Sequence, residues 1–169
     1  QAMREAGIRV KLNPLPDVLA GKRVVVIDDS IVRGTTSREI VQMARDAGAR
    51  KVYLASAAPP VRFPNVYGID MPTSEELVAY GRTVEQVREV IGCDALIYQD
   101  IAPMLEAVGR AALPGSPAIN GFDASCFDGV YITGDVSSED ITRMGQQRAG
   151  SQEDTADHSR LALPNADVG

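Results

Sequence analysis

The chain has 169 residues, of which 44% are hydrophobic, and can bury about one domain-sized core. Its formal net charge is −6 and no basic cluster is interleaved with aromatic residues, which argues against a nucleic-acid-binding surface. No apolar segment approaches the ~18 residues of a membrane-spanning helix, so we expect no contact with a membrane.

The first predicted elements are a strand, a loop, a helix and a second strand. The β-branched run from Val24 to Ile27 is typical of a strand buried on both faces, as in parallel sheets. Apolar residues at helical spacing predict a helix from about Thr36, and Gly48 is a stop signal for it. The run from Lys51 to Ala58 predicts the second buried strand. These elements together predict a right-handed βαβ unit with parallel strands.

Further short elements follow along the chain. The segments TSEELVAYG and TVEQVREVIG each begin with a Thr that can cap a helix and end with Gly, and so predict two short helices. The segment ALIYQD, from Ala95 to Asp100, predicts a third strand, and a helix is predicted from about Ala102 to Val108. Weak alternation from Phe127 to Val136 indicates a short edge strand.

The apolar pattern fails after Val136, which suggests a division of the chain. We predict that residues 1–136 belong to an α/β domain, a parallel sheet flanked by helices, and that the polar residues 137–169 form a disordered tail. Gln1 stands where an initiator Met would be, and no signal-peptide pattern follows it. We therefore expect the sequence to be a piece of a longer protein.

The spacing of the two cysteines indicates the cellular redox compartment of the protein. Cys93 and Cys126 lie far apart and form no C-x-x-C pair. This usage fits a soluble protein of the reducing cytoplasm.

The segment RVVVIDDSIVRGTTS has the features of an anion-binding loop. It follows a predicted buried strand, and ligands of open α/β sheets bind beyond the carboxyl ends of the strands. The next helix begins there with unpaired N–H groups and the positive end of its dipole. Gly34 allows the backbone to come close to a ligand, and Ser30, Thr35 and Thr36 add hydroxyl donors. A phosphate group is the predicted guest.

Asp28 and Asp29 need a separate explanation, because carboxylates beside a bound phosphate would repel it unless they face another part of the ligand. Two acids that accept hydrogen bonds from vicinal hydroxyls, with Mg²⁺ nearby, would suit a ribose 5-phosphate. The alternative is structural: the acids end a strand in solvent, and the hydroxyls cap a helix.

A phosphorelay receiver domain is a second alternative, since it also has an acidic pair after its first strand. Asp70-Met71-Pro72 resembles the acceptor segment of a receiver, but a receiver places its acceptor two residues before Met-Pro. A receiver also has no use for Gly34-Thr35-Thr36, and the phosphate loop is therefore the preferred interpretation.

The loop resembles the phosphoribosyl pyrophosphate signature of the type I phosphoribosyltransferases. From Val41 to Gly92 the chain is similar, more narrowly, to the glutamine-dependent amidophosphoribosyltransferase family. The resemblance covers residues 9–136 and implies a type I phosphoribosyltransferase sheet that is incomplete at its N-terminal side. It implies an enzyme that replaces the pyrophosphate of phosphoribosyl pyrophosphate with ammonia, giving 5-phosphoribosylamine, the first step of purine synthesis.

The resemblance also implies roles for individual residues. Asp28 and Asp29 would hold the ribose hydroxyls and position Mg²⁺. Lys11, which matches the end of a flexible loop in the family, would meet the charge of the departing pyrophosphate. The cradle of the 5′-phosphate would consist of Ser30, Ile31, Val32, Arg33, Gly34, Thr35 and Thr36.

Partners and cofactors follow from the same resemblance. The family obtains ammonia from glutamine in an N-terminal domain that begins with a nucleophilic Cys, and Gln1 is not one, so we expect a missing glutaminase domain and an inactive isolated fragment. The complete protein is expected to be a homo-oligomer. Some members bind an iron–sulfur cluster on four cysteines, but Cys93 and Cys126 are too few, so no cluster is expected. His158, in the predicted tail, is not expected to be catalytic.

Two other functions share parts of the pattern. A salvage phosphoribosyltransferase, which adds ribose phosphate to a purine or pyrimidine base, has the same signature but not the stretch from Val52 to Gly92. A non-catalytic regulator that senses ribose phosphates and binds nucleic acid would keep the site, but the acidic balance of the chain disfavours it.

Overall fold

A computed structural model describes residues 12–69, 71–111, 115, 121–137, 139–141 and 143. The chain divides into two compact units, Gln1–Ile132 and Thr133–Gly169. In the second unit the structure describes only a few positions, where the Ser137 hydroxyl donates to the Asp140 carboxylate at 2.6 Å. Most of the predicted tail lies outside the described residues.

The first unit alternates helices and strands in the order that the sequence predicts for an α/β protein. Its first half contains α1 Pro16–Leu19, β1 Arg23–Asp28, α2 Thr35–Asp46, β2 Lys51–Ser56 and a 3₁₀ helix Ser74–Glu76. Its second half contains α3 Val84–Ile91, β3 Ala95–Tyr98, α4 Ile101–Arg110 and α5 Ser125–Asp128. None of the helices in the described part of the chain combines the length and hydropathy that a membrane span needs.

The strands form a parallel sheet of three strands in the order β1-β2-β3. Val24 lies opposite Val52, and Leu54 lies opposite Leu96. Parallel pairing requires a crossover between consecutive strands, and α2 and α3 precede β2 and β3 in this role. The predicted parallel sheet flanked by helices is therefore confirmed.

One core lies between the sheet and the helices α2 and α3. Val41 and Ala44 of α2 and Val87 of α3 pack with the strand residues Val52 and Leu54, which are fully buried. Ile31, in the loop that follows β1, belongs to the same buried cluster, and its burial fixes the position of that loop.

The prediction that β1 is buried on both faces is wrong. Val26 packs against the core, whereas the side chains of Val25 and Ile27 are 55% and 75% exposed. The physical reason is that side chains alternate between the faces of a strand, and helices α2 and α3 contact the face on which Val26 lies. A continuous β-branched run does not reveal which face has a partner.

The segment TSEELVAYG forms only the short 3₁₀ helix, not the predicted α-helix. The chain becomes extended at Leu77, and the N–H of Val78 donates to the carbonyl of Val32 at 2.8 Å. That N–H therefore forms no hydrogen bond within a helix. Leu77 and Val78 are buried in the core instead of continuing the helix. The second prediction, for TVEQVREVIG, is confirmed by α3, whose first turn is capped by Thr83.

The predicted edge strand from Phe127 to Val136 is also wrong. Its first residues belong to α5, and the described residues after α5 form no strand. Single hydrogen bonds hold α5 and the residues after it: the N–H of Arg62 donates to the carbonyl of Cys126 in α5 at 2.9 Å, and the Tyr131 hydroxyl donates to the carbonyl of Pro64 at 2.7 Å. These contacts bury Tyr131 without a ladder of backbone hydrogen bonds.

Candidate functional site

A cleft of about 640 Å³ opens at the carboxyl end of β1, beside the start of α2. This is where open parallel sheets bind their ligands. The cleft is lined by Asp28, Asp29, Ser30, Val32, Arg33, Gly34, Thr35, Thr36, Ser37 and Glu76. The structure thus brings together all the residues of the predicted phosphate loop except Ile31.

Gly34 determines how the loop enters α2. It is the residue before the helix and adopts φ +73°, in the left-handed region that side chains with a Cβ avoid. A Cβ built on Gly34 would lie 3.0 Å from Cγ2 of Val78, so the site also lacks space for a side chain. The loop therefore turns sharply and presents the first N–H groups of a 12-residue helix to the cleft.

The two acids leave much of their hydrogen-bonding capacity available to a ligand. Oδ1 of Asp28 accepts the N–H of Asp29 at 3.0 Å, and Oδ1 of Asp29 accepts the N–H of Ser30 at 2.7 Å. Within the described part of the chain neither carboxylate forms an ion pair. An ionised carboxylate accepts several hydrogen bonds, and so each can still receive donors from a bound molecule.

Arg33 and Glu76, which both line the cleft, form an ion pair with each other. Nε of Arg33 donates to Oε1 of Glu76 at 3.1 Å, and the N–H of Thr73 donates to the other carboxylate oxygen at 3.0 Å. Burial by itself would raise the pKa of Glu76, but the Thr73 N–H and the Arg33 guanidinium outweigh it, so the pKa is lowered. Glu76 is therefore an anion at neutral pH.

Sequence reasoning missed Glu76, because its segment TSEELVAYG was interpreted only as a short helix. The available signal was the Thr-x-x-Glu spacing from Thr73, which is typical of a capped helix start and not of a ligand site. Ile31 is only 1% exposed and packs in the core, so a ligand could meet its backbone but not its side chain. Lys11, Asp70 and His158 lie outside the described residues.

The described residues of the cleft do not form a complete set of protein ligands for a metal ion. Among the residues that the structure describes, no three His, Cys, Asp or Glu side chains are grouped as metal ligands. The donor set nevertheless fits Mg²⁺, which proteins commonly hold through one or two carboxylates while ligand phosphates and water complete the octahedron. Asp28 and Asp29, adjacent to the hydroxyl-rich loop, are the residues that would supply those carboxylates.

Neither cysteine has the surroundings of an active nucleophile. Cys93 is 2% exposed in the core, and Cys126 is partly buried in α5; both thiols are free. Burial raises the pKa of each thiol, which lowers the fraction of reactive thiolate.

A second polar groove lies at the amino ends of β2 and β3, away from the predicted loop. Its cations are already paired: Arg45 and Lys51 contact the Asp94 carboxylate at 3.0 and 3.2 Å, and Arg88 pairs with Glu85. The N–H of Val52, together with Lys51 and Arg45, lowers the pKa of Asp94 to about 2. This network joins α2 to the sheet, and within the described residues each of its three cations already has a carboxylate partner.

Fold and cleft together define an α/β protein with a candidate ligand site at the carboxyl end of a parallel sheet, lined by a glycine- and hydroxyl-containing loop and a carboxylate pair. Comparison with known proteins shows which members of this structural class the chain is similar to. No family model matches the chain. Over 88% of its length the chain is 53% identical to the amidophosphoribosyltransferase of Haemophilus influenzae, and over its whole length it is 42% identical to that of Saccharomyces cerevisiae.

A solved structure gives the same result. The glutamine phosphoribosylpyrophosphate amidotransferase of Bacillus subtilis, complexed with ADP and GMP, matches 78% of the chain with 46% identity and a TM-score of 0.65. The chain spans only 28% of the Haemophilus protein and of the Bacillus chain, and 31% of the yeast protein. The resemblance found in the sequence is therefore confirmed: the chain is similar, over most of its length, to a segment of amidophosphoribosyltransferase.

Proposed function

We propose that this chain forms the ribose-phosphate-binding part of an amidophosphoribosyltransferase. The complete enzyme would transfer ammonia from glutamine to phosphoribosyl pyrophosphate, giving 5-phosphoribosylamine, glutamate and pyrophosphate, at the start of purine synthesis. The observation that supports it is that Asp28 and Asp29 line one cleft together with the Ser30–Thr36 loop, except Ile31, in a chain about half identical to proteins of that name. The yeast relative matches the whole chain, including Val52–Gly92, which a salvage enzyme would not share.

The ligand would lie with its sugar on the acids and its phosphate on the loop. The carboxylates of Asp28 and Asp29 would accept hydrogen bonds from the ribose 2- and 3-hydroxyls. The 5-phosphate would receive the hydroxyls of Thr35 and Thr36 and the N–H groups at the start of α2, where the helix dipole favours an anion. This arrangement separates the like charges that would otherwise repel each other.

The reaction breaks the bond from the anomeric carbon to pyrophosphate and forms a bond from that carbon to the ammonia nitrogen, which then loses a proton. The leaving pyrophosphate takes the electron pair. When bound, Mg²⁺ would neutralise charge on the pyrophosphate. The residues of the cleft would fix the sugar so that nitrogen and carbon meet in line, and Lys11 is proposed to meet the pyrophosphate charge.

Partners and location are parts of the same proposal. A glutaminase domain would supply ammonia, and the complete protein would be a homo-oligomer. We propose a cytoplasmic location, which the free thiols of Cys93 and Cys126 support. No iron–sulfur cluster is expected on this chain, because two cysteines cannot supply the four ligands that such a cluster uses.

The proposal predicts a difference between the full-length protein and the 169-residue chain. The full-length protein should release pyrophosphate from phosphoribosyl pyrophosphate in the presence of Mg²⁺ and glutamine. The chain alone should give no glutamine-dependent product and at most a trace with ammonium, because its cysteines are not activated and water can reach its cleft.

Both proteins are assayed with glutamine, with ammonium and with a set of purine and pyrimidine bases as acceptors. Turnover of the full-length protein with a base, and none with glutamine or ammonium, would establish the salvage function instead. Robust glutamine-dependent turnover by the chain alone would contradict the assignment of glutamine hydrolysis to another domain.

A further inference from the structure

The only cation among the described residues that line the ligand cleft is held by a carboxylate of the same cleft. Arg33 donates through Nε to Glu76 at 3.1 Å, and the two side chains are 41% and 42% exposed. The cleft therefore presents three carboxylates, those of Asp28, Asp29 and Glu76, against one guanidinium. A phosphate ester that enters meets an excess of negative charge, and the nearest cation is already paired.

Glu76 is the fixed member of this pair. Its second carboxylate oxygen accepts the N–H of Thr73 at 3.0 Å, across the turn of the 3₁₀ helix. The next two residues, Leu77 and Val78, are buried, and Val78 donates its N–H to the carbonyl of Val32 in the phosphate loop. The carboxylate is thus attached to a packed segment that also contacts the loop.

Arg33 is the member that can exchange its partner. It lies in the loop one residue before Gly34, and its planar guanidinium can donate paired hydrogen bonds to a phosphate as well as to a carboxylate. Within the described residues, the one carboxylate with which it is seen to pair is that of Glu76. An exposed ion pair of this kind is weak enough to be displaced by a ligand with a higher charge.

We propose that Glu76 is a positioning residue that holds the Arg33 guanidinium by its ion pair, and that an anionic ligand binds by replacing Glu76 as the partner of Arg33. This inference rests on the proposed function for the identity of the ligand as a ribose phosphate. It assigns to Glu76 a competitive role: the residue lowers affinity for phosphate esters and so makes binding and release readily reversible.

The test is the affinity of Glu76→Gln for ribose 5-phosphate and for inorganic pyrophosphate, measured by calorimetric titration of the 169-residue chain with Mg²⁺ at constant ionic strength. Gln keeps an oxygen that can accept the Thr73 N–H but removes the charge that holds Arg33. We expect binding to become about two- to fivefold tighter, the range that corresponds to the loss of an exposed ion pair. A merely structural role would weaken binding or leave it unchanged.

Two further variants make the result specific. Glu75→Gln changes the net charge equally at an exposed neighbour that does not line the cleft, and it should have little effect. Arg33→Gln should weaken binding. When Glu76→Gln is added to Arg33→Gln, the increase in affinity should be smaller than in the wild type, because no guanidinium is released from the carboxylate. The proposal would be overturned if Glu75→Gln and Glu76→Gln increased the affinity equally, or if Glu76→Gln increased it as much in the Arg33→Gln background as in the wild type.

The two ligands separate this inference from the proposed function. If Glu76→Gln binds pyrophosphate more tightly than the wild type does, but neither protein binds ribose 5-phosphate, the result would support the role of Glu76 and contradict the ribose-phosphate site. Binding of ribose 5-phosphate that Glu76→Gln does not tighten would support the site and refute the role of Glu76. Failure of both ligands to bind the folded chain would refute both.

Discussion

Replacement of both Asp28 and Asp29 by Asn in the full-length protein should abolish most of its turnover with phosphoribosyl pyrophosphate. Each hydrogen bond from a ligand to a charged acceptor contributes about 1.5–3 kcal/mol, so the loss of two such acceptors should lower kcat/KM by about 10²–10⁴-fold. The loss of the carboxylates that are proposed to position Mg²⁺ adds to this effect. Steady-state release of pyrophosphate over a range of Mg²⁺ concentrations measures it.

The same double variant should fold normally. The two carboxylates accept only the N–H of the next residue within the described structure, and an Asn oxygen can accept the same bond. Thermal unfolding checks this expectation. A matched control, Asp17→Asn with Glu75→Gln, removes two exposed carboxylates outside the cleft and should keep nearly full activity. Wild-type rates from the Asp28 and Asp29 variant would refute the assignment of the site.

Gly34→Ala should destabilise the fold and weaken phosphate binding together. A Cβ at φ +73° costs about 1–2 kcal/mol, and a methyl group 3.0 Å from Cγ2 of Val78 adds an overpacking cost of about 1–3 kcal/mol. The total is about 2–5 kcal/mol in the free energy of unfolding, measured by chemical denaturation. Because Gly34 lies directly before α2, relaxation of the strain should also move the helix N–H groups that the phosphate is proposed to contact.

Gly21→Ala is the matched control, since Gly21 has φ +71° but no atom within 4 Å of the position of a Cβ. It should show the backbone cost alone. The double variant Gly34→Ala with Val78→Ala should lose less stability than the sum of the two single variants, because the Val78 methyl groups that clash with the new Cβ are absent. If Gly34→Ala costs no more than Gly21→Ala, Val78 does not constrain the loop as the structure indicates.

The elements that could be predicted from the sequence are those with a strong local signal. β1 and β2 are short apolar runs, and α3 has a Thr cap and a Gly stop, so their positions follow from residues close in the chain. The turn from the loop into α2 was also predictable, because Gly34 and the following hydroxyls form a contiguous motif. Such features depend little on what packs against them.

The errors concern features that distant contacts decide. The exposure of Val25 and Ile27 depends on which face of the sheet the helices cover, and the early end of the 3₁₀ helix depends on the bond from Val78 to Val32. Glu76 enters the cleft because that same contact brings its segment to the loop. No periodicity in the sequence records a pairing between residues more than forty positions apart, such as Arg33 and Glu76.

The central claim is that the loop after β1 binds a ribose phosphate, and the most direct test is a residue-by-residue titration. Amide chemical shifts of the isotopically labelled 169-residue chain are followed by NMR as ribose 5-phosphate and Mg²⁺ are added. We predict saturable shifts at Ser30, Gly34, Thr35 and Thr36, and none at Gly92 and Asp94 in the groove at the opposite end of the sheet. Saturable shifts confined to Gly92 and Asp94, or no shifts at the loop of a folded chain, would contradict the claim.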